Sequence, residues 1–298
     1  MLNDLPIDIK ILIFSYIKDS NIFLICKSFS EIRFEKIVWK ERSVFLSSFK
    51  DFQSFFENWK NGFRVSELHF LDNFPWIICH WIKEFTQYEI DSILKCIEKM
   101  DDIQKITFGW DFNQKIDNLP QFLTHLTING IFDQTINILP SSLIYLSIEG
   151  NFNQTVNHLP EKLETLKLVG CFNKNVDNLP KNLKTLFLSY AFDQKVESLP
   201  ETLLHLTFGE KFNESIENIP SSIKNLELGY SFNRPILNLP PNLTHLSLGN
   251  WFNETIEKFP ESMVYFKCGS RFNSKIEYLQ QEFNKKSKNQ FEFIFEKN

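Results

Sequence analysis

The sequence predicts an α+β chain, with helices at its N-terminal end followed by a solenoid of 20-residue coils whose short strands stack into a parallel β-sheet. Three observations carry this expectation. Phe falls at 112, 132, 152, 172, 192, 212, 232, 252 and 272, and Pro at 120, 140, 160, 180, 200, 220, 240 and 260, so the period is 20 without a slip. Within each period the stretch before the Phe alternates apolar and polar residues, as in Leu126-Thr127-Ile128, the pattern of a strand with one buried face. Upstream of the repeat, Glu89 to Met100 places apolar residues at 90, 93, 94 and 97, a helical stripe.

The repeating unit reads L-P-x-x-L-x-x-L-x-L-x-G-x-F-N-x-x-I-x-N. Twenty residues are too few for a helical pair or a propeller blade, but they fit one coil of a solenoid of the leucine-rich-repeat kind. Strands of successive coils would stack at ~4.8 Å, so eight or nine coils give a body roughly 40 Å long. Pro cannot donate to a β-ladder, which puts it at the bend where the chain turns back. The Phe then fills the opposite wall of the coil and stacks on its neighbours as an aromatic spine. The chain as a whole is rich in Phe, with 32, and in Asn, with 28.

Asn or Asp follows every one of these phenylalanines, from Asn113 and Asp133 through to Asn253 and Asn273. Such a column could be a ladder of cation ligands. It could equally serve the backbone, each side chain hydrogen-bonding its own turn or the next coil. Most of the column is neutral amide, a poor calcium ligand, and the backbone role is the expected one.

Composition bounds the function. Lys and Arg total 32 against 37 Asp and Glu, a formal net charge of −5, and no basic block marks a nucleic-acid or anionic-lipid surface. No apolar run approaches the ~20 residues that span a bilayer, and the acidic start MLNDLPIDIK does not read as a secretion signal. Cys26, Cys79, Cys96, Cys171 and Cys268 follow no metal or redox spacing, which is expected of free thiols in a reducing compartment. A cytoplasmic monomer without nucleic-acid or membrane partners is expected, or one in the host cytoplasm if a virus encodes the chain.

Four segments follow. Residues 1–45 form a helical domain: Asn3 or Asp4 caps a helix with Pro6 in its first turn, and apolar residues come at 9, 12, 13, 16 and 17. Ile11 and Phe14 lie off that stripe, so the helix is apolar nearly all round and needs a second surface to cover it. Residues 46–102, rich in Phe and Trp, read mainly as helix and are the natural cap for the first, incomplete coil. The solenoid occupies 103–280. Residues 281–298 form a tail in which Phe291-Glu292-Phe293-Ile294-Phe295 alternates as a closing strand would.

Two patterns carry a resemblance. Leu5-Pro6-x-Asp8-Ile9, Ile13-Phe14-x-x-Ile17, Leu24-x-Cys26-Lys27-x-Phe29 and Trp39 resemble an F-box. The unit LPxxLxxLxLxxxFNxxI resembles the FNIP repeat, a relative of leucine-rich repeats. Together they are similar to the F-box and FNIP repeat-containing proteins. That resemblance implies a non-catalytic adaptor of a Skp1-cullin-F-box ubiquitin ligase. The Skp1-like partner would contact Leu5, Pro6, Ile9, Ile13 and Phe14, with Cys26, Phe29 and Trp39 in support, and the repeat domain would hold a substrate protein. The alternative is a repeat-type interaction scaffold without a ligase link.

Outward-facing strand residues form two variable columns, one containing His125, Tyr145, His205 and His245, the next containing Lys167 and Phe187. Tyr190, Tyr230 and Trp251 lie beside them, and aromatic anchors of this kind suit a protein interface. His125, Tyr145, Phe187, Tyr190, His205, Tyr230, His245 and Trp251 are therefore the expected substrate-binding residues. The histidines are coils apart, ~19 Å between His125 and His205 at the strand spacing, too far to share a zinc ion. No phosphate loop, nucleophile elbow or HExxH stretch occurs. No enzyme activity, cofactor or metal is expected.

Overall fold

The computed structural model describes residues 22–24, 43–46, 67–70, 87–97, 103–110, 112–275 and 292–295. The chain divides into two compact units, Met1–Phe132 with Pro140–Leu143, and Asp133–Leu139 with Ile144–Asn298.

In the first unit five strands pair in parallel, each with the next: β1 (Ile22–Leu24), β2 (Ser43–Leu46), β3 (Glu67–Phe70), β4 (Lys105–Phe108) and β5 (His125–Ile128). Helix α1 (Gln87–Ile97) precedes β4. Its stripe Ile90, Ile93, Leu94 and Ile97 is buried, as the spacing predicts. The Gln87 side chain clasps the start of the helix to the first coil: its Nε2 donates to the Lys115 carbonyl at 3.1 Å and its Oε1 accepts the Lys115 N–H at 2.7 Å.

Two segments expected to be helical also hold strands. In 46–102 helix α1 supplies 11 residues, and the four-residue strand β3 lies upstream of it. Glu67-Leu68-His69-Phe70 alternates with period two, a signal hidden among the surrounding aromatics. Ile22–Leu24 and Ser43–Leu46 are also strands, the first inside and the second at the end of the segment expected to be helical. Parallel pairing thus continues upstream of the 20-residue repeat. The remainder of residues 1–45, including Leu5, Pro6, Ile9, Ile13, Phe14, Cys26, Phe29 and Trp39, lies outside the described residues.

The second unit repeats one coil. Its strands are β6 (Tyr145–Gly150), β7 (Thr165–Gly170), β8 (Thr185–Leu188), β9 (His205–Phe208), β10 (Asn225–Leu228), β11 (His245–Leu248), β12 (Tyr265–Cys268) and β13 (Glu292–Phe295). Each pairs in parallel with the next, and through β12 the register joins residue n to residue n + 20, as in Leu226 with Leu246. The C-terminal alternation supplies β13, which joins β12 with Phe266 opposite Phe293. Inward strand residues such as Leu206, Leu226 and Leu246 are fully buried while their neighbours reach solvent.

Each Pro opens a turn whose carbonyl accepts the N–H three residues on, at 3.0 Å from Leu183-like positions such as Leu203 to Pro200 and Leu243 to Pro240. Hydroxyls staple this turn to the preceding coil: Thr202 Oγ1 donates to the Leu183 carbonyl at 2.9 Å, and Ser262 Oγ to the Leu243 carbonyl at 2.7 Å. On the far wall Phe152, Phe172, Phe192, Phe212, Phe232 and Phe252 are buried to within 1%. From Phe152–Phe172 to Phe212–Phe232 the successive rings stack at 6.1–6.2 Å where measured. The first unit shows the same device in Phe108, Phe112 and Phe132.

The Asn/Asp column serves the backbone. The Oδ1 of Asp133 accepts the N–H of Asn153, that of Asn153 the N–H of Asn173, and so on through Asp193, Asn213 and Asn233 to the N–H of Asn253, all at 2.8–3.0 Å. The chain N–H groups past the Phe would otherwise lack a partner, and a side-chain acceptor in each coil satisfies the next. This explains why Asn and Asp interchange here, since either supplies the one oxygen required.

Cys268 shows how tightly the last repeat closes. It is fully buried, and burial pushes its thiol up to about 12 from an ordinary 9.0. The thiolate is the reactive form, so iodoacetamide at pH 8 should label exposed Cys171 and leave Cys268 untouched until unfolding, read by peptide mass spectrometry. Because the folded pKa is the higher one, the neutral thiol's contribution is intact below pH 9 and is lost as pH rises toward 12. Rapid native labelling of Cys268 would contradict the packing described.

Candidate functional site

Period-two alternation gives each strand a pair of side chains on the open face. In the second unit one column comprises Tyr145, Thr165, Thr185, His205, Asn225, His245 and Tyr265, all exposed or partly so. The next runs Ser147, Lys167, Phe187, Thr207, Glu227, Ser247 and Lys267. His205 and His245 are exposed, and Tyr145 and Phe187 are partly buried among their neighbours. His125 occupies the matching position in the first unit, also partly buried. Ser147 is 1% exposed and its hydroxyl has no hydrogen-bond partner, so that position offers little to a ligand.

Neighbouring coils pair some of these groups. His245 and Tyr265 stack at 5.6 Å, and the Lys167 ammonium lies 5.7 Å from the Tyr145 ring centre. The His245 ring is held from the preceding residue: Thr244 Oγ1 lies 3.0 Å from the Lys224 carbonyl and 2.8 Å from His245 Nδ1. Thr124 and His125 repeat the arrangement at 2.9 Å, with the Thr124 hydroxyl on the Gln104 carbonyl. The face thus offers polar ring nitrogens as well as aromatic surface.

Beyond the strand ends the coils remain hydrogen-bonded. The N–H of Lys211 reaches the Tyr190 carbonyl at 3.0 Å and that of Trp251 the Tyr230 carbonyl at 3.1 Å. These rungs hold a row of side chains along the edge of the face. Tyr190, Tyr230 and Trp251 are 49%, 47% and 44% exposed, large values for aromatic rings. The Lys211 ammonium sits 5.0 Å above the Tyr190 ring, Tyr230 and Trp251 meet at 5.9 Å, and the Arg271 guanidinium lies 4.5 Å from the Trp251 ring. Tyr190 holds a left-handed φ of 33°, unusual for a bulky residue. The structure therefore brings three of the expected residues into one edge row, while His205 and His245 stand on the face beside it. Lys211 and Arg271 were not among the expected residues. Their sequence signal is an interval of one period, or one period plus one residue, from Tyr190 and Trp251.

A polar depression on the far wall is lined by Asn175, Asp177, Asp193, Gln194, Lys195, Glu197 and Glu214. Partial burial raises the Asp177 pKa, but the Asn175 side chain and the N–H groups of Glu197 and Ser198 outweigh it and hold the carboxyl below its ordinary range. The Asn175 bond forms a local turn, and the Glu197 and Ser198 bonds tie one coil to the next. Among the described residues no group of three or more His, Cys, Asp or Glu side chains is set to hold a metal ion, and no helix is long and apolar enough to cross a membrane.

A parallel sheet with a 20-residue register, a buried Phe spine and an open variable face defines a repeat-type β-solenoid. Three stretches of it, residues 112–150, 172–211 and 212–251, match the FNIP Repeat family model. Among solved structures the chain is similar to YopM from Yersinia enterocolitica WA-314, with 19% identity and a TM-score of 0.40. That alignment covers 57% of this chain and 42% of the other, so the chain spans less than half of that protein's length. No curated protein matches the sequence.

Proposed function

We propose that this chain is a non-catalytic, repeat-type protein-interaction scaffold that binds a partner protein through the open face and edge of its coils. The observation that carries this reading is the contrast between columns. Buried positions repeat the same residue types from coil to coil. Face and edge positions vary freely and leave aromatic rings half exposed, the composition of an interface.

A finer reading makes the scaffold a cytoplasmic, monomeric substrate adaptor of a Skp1-cullin-type ubiquitin ligase, with a Skp1-like partner on Leu5, Pro6, Ile9, Ile13 and Phe14. The Leu5-to-Trp39 pattern supports it. The parallel strands β1 and β2 favour the plainer scaffold, because they extend the coil architecture into the stretch that an F-box would make helical.

Photo-crosslinking tests the scaffold reading. A benzophenone amino acid at His205 or His245 should capture a partner from cell extract, whereas one at the exposed turn residues Lys181 or Glu201 should not. Equal capture from both walls would overturn the reading. Purified Skp1 tests the finer one: the full chain should bind it, and Leu5→Asp with Pro6→Ala should abolish binding. Failure of the unmodified chain to bind Skp1 leaves the adaptor reading without support.

A further inference from the structure

From the edge row we infer the kind of segment this scaffold accepts: an extended stretch of a partner protein with the pattern acid-x-apolar-x-acid. The inference deepens the scaffold reading and rests on its partner being a protein.

The argument starts from charge. Lys211 and Arg271 lie on the rings of Tyr190 and Trp251, and neither has an ion-pair partner among the described residues. A cation on an aromatic face keeps its hydrogen-bond donors available and loses little freedom when a carboxylate arrives. Two such cations in a chain of net charge −5 form a local positive feature. Glu210 is the one carboxylate in this stretch of the edge, between Tyr190 and Tyr230 in the sequence column.

Spacing then selects the ligand. Tyr190 and Trp251 are three coils apart, as are their cations, which is ~14 Å at ~4.8 Å per coil. In an extended chain residues i and i+4 are ~13.6 Å apart and share a face with residue i+2. A segment crossing the coils can therefore set acids i and i+4 on Lys211 and Arg271 while residue i+2 meets the exposed Tyr230 and Trp251 rings. A helix fits worse, since its i, i+4 pairs are only ~6 Å apart.

Fluorescence anisotropy of the full-length protein tests this with a fluorescein-labelled nonapeptide centred on Glu-Ser-Leu-Ser-Glu. Binding should weaken as salt rises and fall at least tenfold in the Lys211→Glu/Arg271→Glu variant. That variant should in turn bind the peptide carrying Lys at both acidic positions, which shows that it is folded. Replacing the central Leu with Ser should weaken binding several-fold. Equal binding by the wild-type and charge-reversed proteins, or equal binding of the Glu and Lys peptides by the wild type, would overturn the inference. Loss of peptide binding with crosslinking from His205 or His245 intact would remove the edge site alone. Loss of face crosslinking with peptide binding intact would remove the face from the scaffold reading and leave the edge.

Discussion

Replacing Phe192 with alanine should destabilise the second unit by about 3–5 kcal/mol, the range for emptying a fully buried aromatic site. The ring is completely buried and touches three others: Phe172 at 6.2 Å, Phe212 at 6.1 Å and Phe208 at 6.0 Å. Its removal leaves a gap in the middle of a stack, which neighbouring coils cannot close without breaking the parallel register on both sides. The lost contacts are dispersion and apolar burial together. Urea titration followed by far-ultraviolet circular dichroism measures the effect. Phe259→Ala is the internal comparison, because that ring is only partly buried and meets Phe266 edge-on at 5.1 Å. It should cost clearly less. A Phe192→Ala unfolding free energy within about 1 kcal/mol of the parent would mean that the ring is not part of a packed core.

Gly229→Ala should also destabilise, by about 1–3 kcal/mol, the range for overpacking a filled site. At an unstrained, open position the same change stabilises by roughly 0.4–1 kcal/mol, because alanine narrows the unfolded ensemble. The sign is therefore diagnostic. A methyl group at Gly229 would run into the carbonyl of Gly209 and the N–H of Glu210 in the preceding coil. Backbone atoms cannot swing aside as a side-chain tip can. Gly249 meets the carbonyl of Gly229 in the same way, so a run of glycines lets consecutive coils approach at the strand exit. The same urea titration decides the matter, and a neutral or stabilising result would mean that the coils are not in this contact.

The repeat was legible because packing makes the same demand in every coil. Phe172, Phe192 and Phe212 fill equivalent holes, Asn153 and Asn173 satisfy equivalent N–H groups, and Pro180 and Pro200 open equivalent turns. A position under a recurring constraint shows in the sequence as a column. The upstream strands were hidden for the opposite reason. Ile22, Ser43, Glu67 and Lys105 are register partners in turn, yet the intervals between them differ. Ile22-Phe23-Leu24-Ile25 is a continuous apolar run, which periodicity alone cannot separate from a buried helix. The edge was partly legible. Tyr190, Tyr230 and Trp251 stand out as large aromatics in variable columns. Lys211 and Arg271 look like ordinary surface charges until the coil geometry sets them over those rings. Variable columns carry their meaning in pairs across coils, and such pairs become visible only once the register is known.

The Asn/Asp ladder, the turn staples and the strand ladders all join a coil to the one before or after it, and in the repeat region none reaches farther. Held at its two ends and stretched, the second unit should yield by peeling rather than by a single global rupture. Each coil that lets go frees twenty residues, ~70 Å of thread at full extension, and exposes a fresh coil to the same load. A force–extension trace would then show an even sawtooth, its spacing set by the period first visible in the phenylalanines.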